Sequence, residues 1–236
     1  MRFRQFCLTC PPVSRILHID TAVQVASICL SDGETIVDTK VNPAEKESAA
    51  WLHVAIQSLL QQYKLTPAQL DAIAVSTGPG SYTGLRVGLS AAKGLCYALS
   101  LPLISINTLQ MMAAGVQNSN TELLCPMIDA RRMEVFTALY KPSLEEAMAP
   151  TNMILDDTSF AEWLQTSSIT FFGNGSNKAK DVIQHANAFF ADYTATAKDM
   201  VVLAAEKFSK GEFSDLAYTE PFYGKDFHSP ISKKIY

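Results

Sequence analysis

The chain has little basic charge, and what it has is spread out. Nineteen lysines and arginines stand against 23 aspartates and glutamates, a net charge of −4. Proteins that grip nucleic acid unaided gather cations on one face, because displacing counterions from phosphate supplies much of their affinity. Only Arg131-Arg132 and Lys233-Lys234 stand as adjacent pairs here, so contact with RNA is expected to be indirect. Long apolar runs are missing too: none reaches the ~18–20 residues that span a bilayer. The segment 1–14 carries Arg2 and Arg4 but lacks the ~7–15-residue apolar stretch of a secretion signal. It reads as a leader outside the fold, and the protein as cytoplasmic with no membrane association.

Histidine and cysteine are sparse as well. His18, His53, His185 and His228 include no pair four apart, so no helix offers the His-x-x-x-His set that holds a catalytic zinc. The five cysteines are scattered. Cys7 and Cys10 form one C-x-x-C, and no second pair completes a zinc site. No Gly-x-x-x-x-Gly-Lys-Ser/Thr loop occurs, and no Ser/His/Asp or Cys/His group stands in a supporting motif. The residues therefore nominate neither a catalytic side chain nor a metal site.

What is present is core material: 48% of the 236 residues are hydrophobic, enough for one large domain or two small ones sharing an interface. Residues 15–20 read as a strand ending on Asp20. Residues 25–30 and 35–41 continue it as a meander through Asp32-Gly33, a tight-turn pair. Leu52, Ile56, Leu59, Leu60 and Tyr63 recur at helical spacing over 48–64. A short helical turn from Thr66-Pro67, a buried strand (71–76), a helix to 100, a strand (102–106) and a helix (108–116) follow. The second half opens with residues 124–129, again a strand ending on Ile-Asp, and a returning strand over 134–140. Helices over 158–165, 177–185 and 196–210 and a strand over 169–172 complete it. The echo predicts an internal duplication, with an N-terminal lobe over 15–108 and a smaller C-terminal lobe over 109–236.

The segment with most to say is Thr77-Gly78-Pro79-Gly80-Ser81-Tyr82-Thr83-Gly84-Leu85-Arg86-Val87-Gly88, lying between a strand and a helix. Its glycine spacing fits neither a P-loop nor a dinucleotide loop. Within the helix, Gly84, Gly88, Ala91, Ala92 and Leu95 share one face, with Gly94 nearby. Each interior glycine costs ~1 kcal/mol against alanine, a cost that close packing offsets. The spacing leaves open whether the close neighbour is the chain's own sheet or another subunit's helix.

This segment, with Ile19-Asp20-Thr21, Ala92-Lys93-Gly94-Leu95, Thr108-Leu109 and Ile128-Asp129-Ala130-Arg131-Arg132, resembles the TsaB (YeaZ) family, whose members share an actin/hexokinase/Hsp70-like (ASKHA) α/β fold of two duplicated lobes. Glu220-Pro221-Phe222-Tyr223 resembles that family's closing motif. The resemblance implies a non-catalytic subunit that supports a TsaD-like transferase, with a TsaE-like ATPase, in placing threonylcarbamoyl on adenosine 37 of tRNA. It implies a homodimer when alone, and a partner face on the helices 48–64 and 84–100. That face would comprise Trp51, Leu52, Gly84, Arg86, Gly88, Ala91, Ala92 and Leu95. Trp51 stands in the first turn as an aromatic anchor or as packing for its own lobe. The resemblance implies no cofactor for this subunit itself and leaves open ATP or ADP with Mg²⁺ at the complex interface. Within the subunit, Asp20, Thr21, Asp129 and Arg131 would line a nucleotide cleft, the two aspartates forming a pair able to hold Mg²⁺. The competing reading is an enzyme acting alone, either a glycoprotease-like metallopeptidase or an ASKHA-type ATPase.

Overall fold

A computed structural model describes residues 14–44 and 48–224. The leader (except Ser14), Cys7, Cys10, His228, Lys233 and Lys234 lie outside the described residues. Strands β1 (Arg15–Asp20), β2 (Ser27–Asp32) and β3 (Thr35–Val41) form an antiparallel meander. Gly33 takes the left-handed turn at φ +60°, as the Asp-Gly pair predicts. Helix α1 (Ser48–Gln62) and a 3₁₀ turn (Pro67–Gln69) lead to β4 (Ala72–Ser76), parallel to β1. Helix α2 (Tyr82–Leu99) then leads to β5 (Leu103–Ile106), parallel to β4. Helix α3 (Thr108–Ala114) passes to the second half.

That half repeats the first. Strands β6 (Leu123–Asp129), β7 (Glu134–Tyr140) and β8 (Glu146–Ile154) form a second meander. Helix α4 (Ala161–Thr166), β9 (Ile169–Phe172), α5 (Ser176–Val182) and β10 (Ala188–Ala191) follow, then a 3₁₀ turn (Ala197–Met200) and α6 (Val201–Lys210), which Gly211 ends at φ +68°. The sheet orders are β3-β2-β1-β4-β5 and β8-β7-β6-β9-β10, the same arrangement twice. The duplication is real, and the fold is α/β with two lobes of one sheet order. One detail shifts: Asp20 pairs with Ser27, seven residues on, while Asp129 pairs with Val135, six on. An ungapped alignment of the halves therefore slips by one residue on the returning strand.

Strands β8 and β10 carry no clear signal in the sequence. Both are sheet edges. The first contains Pro150 and is largely exposed, and the second has four residues; short edges and prolines are where strand propensity is weakest. The buried strands, by contrast, alternate cleanly. Leu17, Ile19, Ile28 and Leu30 face α1 and α2, while Ile16 and Cys29 face the core between the sheets. That shared core is built by exchange. Helix α3 packs on β6 and β7, whereas α6 packs on β5 and β1, so each half donates its last helix to the other. Leu109, Met112, Met200, Val201 and Ala204 fill the middle. Beyond α6 the chain stays on the first sheet, where Ser214 bridges Leu103.

Candidate functional site

The signature loop is bound from every side by its own chain. Thr77 N donates to Ile106 O (2.9 Å), Gly78 N to Thr108 Oγ1 (3.0 Å), and Thr108 N to Gly78 O (2.9 Å). Ser81 N donates to Ala22 O (2.8 Å), and the Ser81 hydroxyl caps α2 by accepting from Gly84 N (3.2 Å). Gly78 sits at φ +117°, and a Cβ there would lie 2.0 Å from Phe222 O. Only glycine combines that conformation with that approach. Loop and helix thus form an assembly joint, linking the turn after β1, the start of α3 and the segment near residue 222. Pro79 is buried within it, and Tyr82 and Thr83 are exposed.

The small face of α2 is internal, which corrects the partner-face expectation for half of its residues. A Cβ on Gly84 would meet Thr21 O at 1.9 Å, and one on Gly88 would meet Thr21 Oγ1 at 2.3 Å. Thr21 Oγ1 donates to Gly84 O (2.6 Å). Leu52, Gly84, Gly88 and Ala92 are buried against their own lobe and offer no surface to a partner. Trp51 is half-buried on the same core. Arg86 is exposed, but its Nε donates to Tyr223 OH (2.9 Å) and its guanidinium lies 4.1 Å from the Tyr82 ring centre.

What α1 and α2 leave open is the furrow between them. Ala49, His53, Val87, Ser90, Ala91, Gly94 and Leu95 line a shallow, mainly apolar cavity of about 390 Å³. Gly94 is exposed, and a Cβ on it would have no neighbour within 4 Å. Its own subunit therefore does not need a glycine there. Val54 and Tyr97, 65% and 82% exposed on these two helices, add apolar surface.

The cleft between the lobes is larger, about 800 Å³, and is lined by Thr21, Gly80, Tyr82, Thr83, Phe136, Asp129 and Arg131 among others. It gathers three of the four residues expected there, and not as a carboxylate pair. Asp20 is fully buried below the cleft, accepting from Ser76 Oγ (2.5 Å) and Ala22 N (3.0 Å). Burial drives its carboxyl up to about 6, opposed by those two bonds and helped by the charge of Asp199. Asp129 is already engaged by Lys178 Nζ (2.7 Å) and Arg131 N (2.6 Å). Partial desolvation raises its carboxyl, but Lys178 and the Arg131 amide outweigh that and hold it below the usual carboxylate range. Lys178→Met should therefore move the Asp129 titration upward; a carboxyl-carbon NMR titration reads this, and an unchanged midpoint would show that Lys178 does not set it. Arg131 and Arg132 both hold positive φ, +70° and +52°, in the turn beside the cleft. Among the described residues, no three His, Cys, Asp or Glu side chains gather where a metal ion could be held, and no helix is long and apolar enough to cross a membrane.

Sequence relatives decide the family. The model for "TsaD: tRNA N6-adenosine threonylcarbamoyltransferase" matches residues 41–226. The tRNA threonylcarbamoyladenosine biosynthesis protein TsaB of Bacillus subtilis is 31% identical, over 72% of this chain and 75% of its own length. The Escherichia coli protein of that name is 30% identical over 89% and 94%. The chain belongs to the TsaB family. A solved Pseudomonas aeruginosa structure, described as an uncharacterized protein with similarity to peptidase YEAZ, superposes at a TM-score of 0.78 with 24% identity, covering 90% of this chain and all of that one. This likeness shows the fold.

For this TsaB-family chain, reading the residues missed two parts of the site. Lys178, the partner of Asp129, lies 49 residues away, and no local pattern links the two. The place of Glu220-Pro221-Phe222-Tyr223 was also unread: Phe222 N donates to Thr77 O (2.7 Å), so this segment closes over the signature loop.

Proposed function

We propose that this chain is a non-catalytic, cytoplasmic subunit of the machinery that makes threonylcarbamoyladenosine on tRNA. It supports a TsaD-like catalytic subunit by docking the α1–α2 furrow onto a matching helix pair. A TsaE-like ATPase joins the assembly, and tRNA is met through the complex. The observation that carries this reading is Gly94: an exposed helical glycine that no internal contact requires. Such a residue costs ~1 kcal/mol against alanine, and a neighbouring chain that must approach the α2 backbone closely accounts for it. The surrounding Ala49, Val87, Ala91 and Leu95 suit the same apolar contact, in a homodimer of the free protein as well as with TsaD. Against an ATPase acting alone stand the burial of Asp20 and the Lys178–Asp129 pair, which leave the cleft without two free carboxylates for Mg²⁺. Any ATP or ADP with Mg²⁺ is, on this proposal, bound at the junction with the partner.

Gly94→Leu is the direct test. The side chain enters open space, so the fold should be kept and its melting midpoint held or raised by the better helix propensity of leucine, while affinity for the TsaD-like partner falls at least tenfold, about 1.4 kcal/mol. Calorimetry and pull-down measure it. Wild-type affinity in a folded Gly94→Leu protein would move the interface elsewhere. Reconstitution with the partner, the ATPase, threonine, bicarbonate, ATP and the threonylcarbamoyl-adenylate synthase tests the role itself. Full tRNA modification without this chain would refute it.

A further inference from the structure

The segment 212–224 lies across the surface, and none of its residues is buried. Its path is nonetheless fixed at five points. Ser214 N donates to Leu103 O (2.8 Å), and Ser214 Oγ meets Ser105 N and Ser105 Oγ (3.2 and 2.9 Å) on the edge strand β5. Asp215 Oδ1 shapes the next turn by accepting from Ala217 N and Tyr218 N (2.8 and 2.9 Å). Lys93 of α2 donates to Ala217 O (3.2 Å). Phe222 N donates to Thr77 O, and Tyr223 OH accepts from Arg86 Nε, with its ring 4.8 Å from that of Tyr82. Gly224, at φ +69°, lies where a Cβ would be 2.7 Å from Phe136 Cε1 and 3.3 Å from Pro79 Cβ.

Two of these contacts reach the cleft. Tyr82 and Phe136 line its cavity, one from each lobe, and each touches this segment, Tyr82 through Tyr223 and Phe136 through Gly224. The same segment also grips α2 through Arg86 and Lys93. What it covers is buried: Gly78 and Pro79 are shielded from solvent. A cover with no fully buried side chain of its own, held by backbone bonds, the Ser214 hydroxyl, Lys93, the partly covered Phe213 and Leu216 and one exposed arginine–tyrosine stack, is a unit that opens well before the lobes unfold.

We infer that residues 212–224 form a detachable strap that clamps the signature loop and joins the wall of the inter-lobe cleft to the first turns of α2. When docked, it holds Tyr82 and Phe136 in place across the mouth of the cleft. When lifted, it releases Arg86 and Lys93 and bares Gly78-Pro79. The cleft and α2 are thus linked through the strap, independently of which partner α2 meets.

Hydrogen exchange read by mass spectrometry on the full chain tests this. In Tyr223→Ala, amides of residues 77–88 should exchange at least tenfold faster, with β1, β2 and β6 keeping wild-type rates. Tyr223→Phe, which keeps the ring and loses the hydroxyl, should give a smaller acceleration at the same residues. Should the alanine variant fail to fold, Tyr223→Phe and Arg86→Lys carry the test through that same local pattern. Unchanged exchange over 77–88, or acceleration spread evenly over both lobes, would overturn the strap as a separate unit.

Discussion

Gly84→Ala should destabilise the protein by about 3 kcal/mol or more, the upper range for overpacking a well-packed contact. The added carbon would sit 1.9 Å from the Thr21 carbonyl oxygen, and neither side can yield cheaply. Thr21 is backbone leaving β1 and buried. The helix is anchored by the Ser81 cap, one turn earlier in the chain. Moving α2 outward also breaks the 2.6 Å bond from Thr21 Oγ1 to Gly84 O. Gly94→Ala on the same helix is the control: with nothing within 4 Å of its Cβ, it should raise stability by up to ~1 kcal/mol through helix propensity alone. Urea denaturation of both variants decides the matter. Equal effects at the two glycines would mean that α2 does not press on Thr21.

The second large effect concerns pH. Asp20 holds its proton up to about pH 6 in the fold, against 3.8 as its ordinary value. The folded state therefore binds that proton more tightly than the unfolded chain does. Its contribution to stability is complete below pH 3.8 and disappears as pH rises through about 6. The loss is on the order of 3 kcal/mol, from about 1.36 kcal/mol per pH unit. His18, in the same strand and also fully buried, works in the opposite direction. Desolvation lowers its ring to about 3, so its contribution is present above 6.5 and fades as pH falls. Asp199, raised chiefly by burial and near enough to raise Asp20 in turn, acts in the same sense as Asp20. The wild-type profile between pH 4 and 6.5 should accordingly be shallow. In Asp20→Asn the histidine slope stands uncovered: relative to wild type, the variant should gain about 3 kcal/mol of stability between pH 4 and 7. Parallel urea midpoints across that range would show that Asp20 does not titrate on unfolding.

Much of the architecture was readable because it is local. Ile19-Asp20 and Ile128-Asp129 mark the ends of equivalent strands, and the sheets they open have one order. The α2 glycines were separable in principle. At about 100° per residue, Gly94 lies about 240° around the helix from Gly88, so the two cannot serve one surface. The partner face was drawn through Gly84, Gly88 and Ala92, which are buried against the chain's own lobe, and it left out Gly94, the exposed glycine. The edge strands β8 and β10 escaped notice because an edge needs little apolar pattern. The Asp129–Lys178 pair and the Arg86–Tyr223 bond, 49 and 137 residues apart in sequence, exist only once the lobes are assembled, and no spacing rule reaches that far.

The exchange of α3 and α6 between the halves has a mechanical consequence. Each sheet is covered on its inner side by a helix connected to the other sheet's chain segment, so neither lobe can be withdrawn without stripping the other. Any rotation of one lobe against the other would have to pass through the seam where α3 meets α6. The methionines Met111, Met112 and Met200, which are unbranched and forgiving of small displacements, occupy that core. The exchange thus ties the two lobes together through one packed core, and resistance to their separation is the expected result.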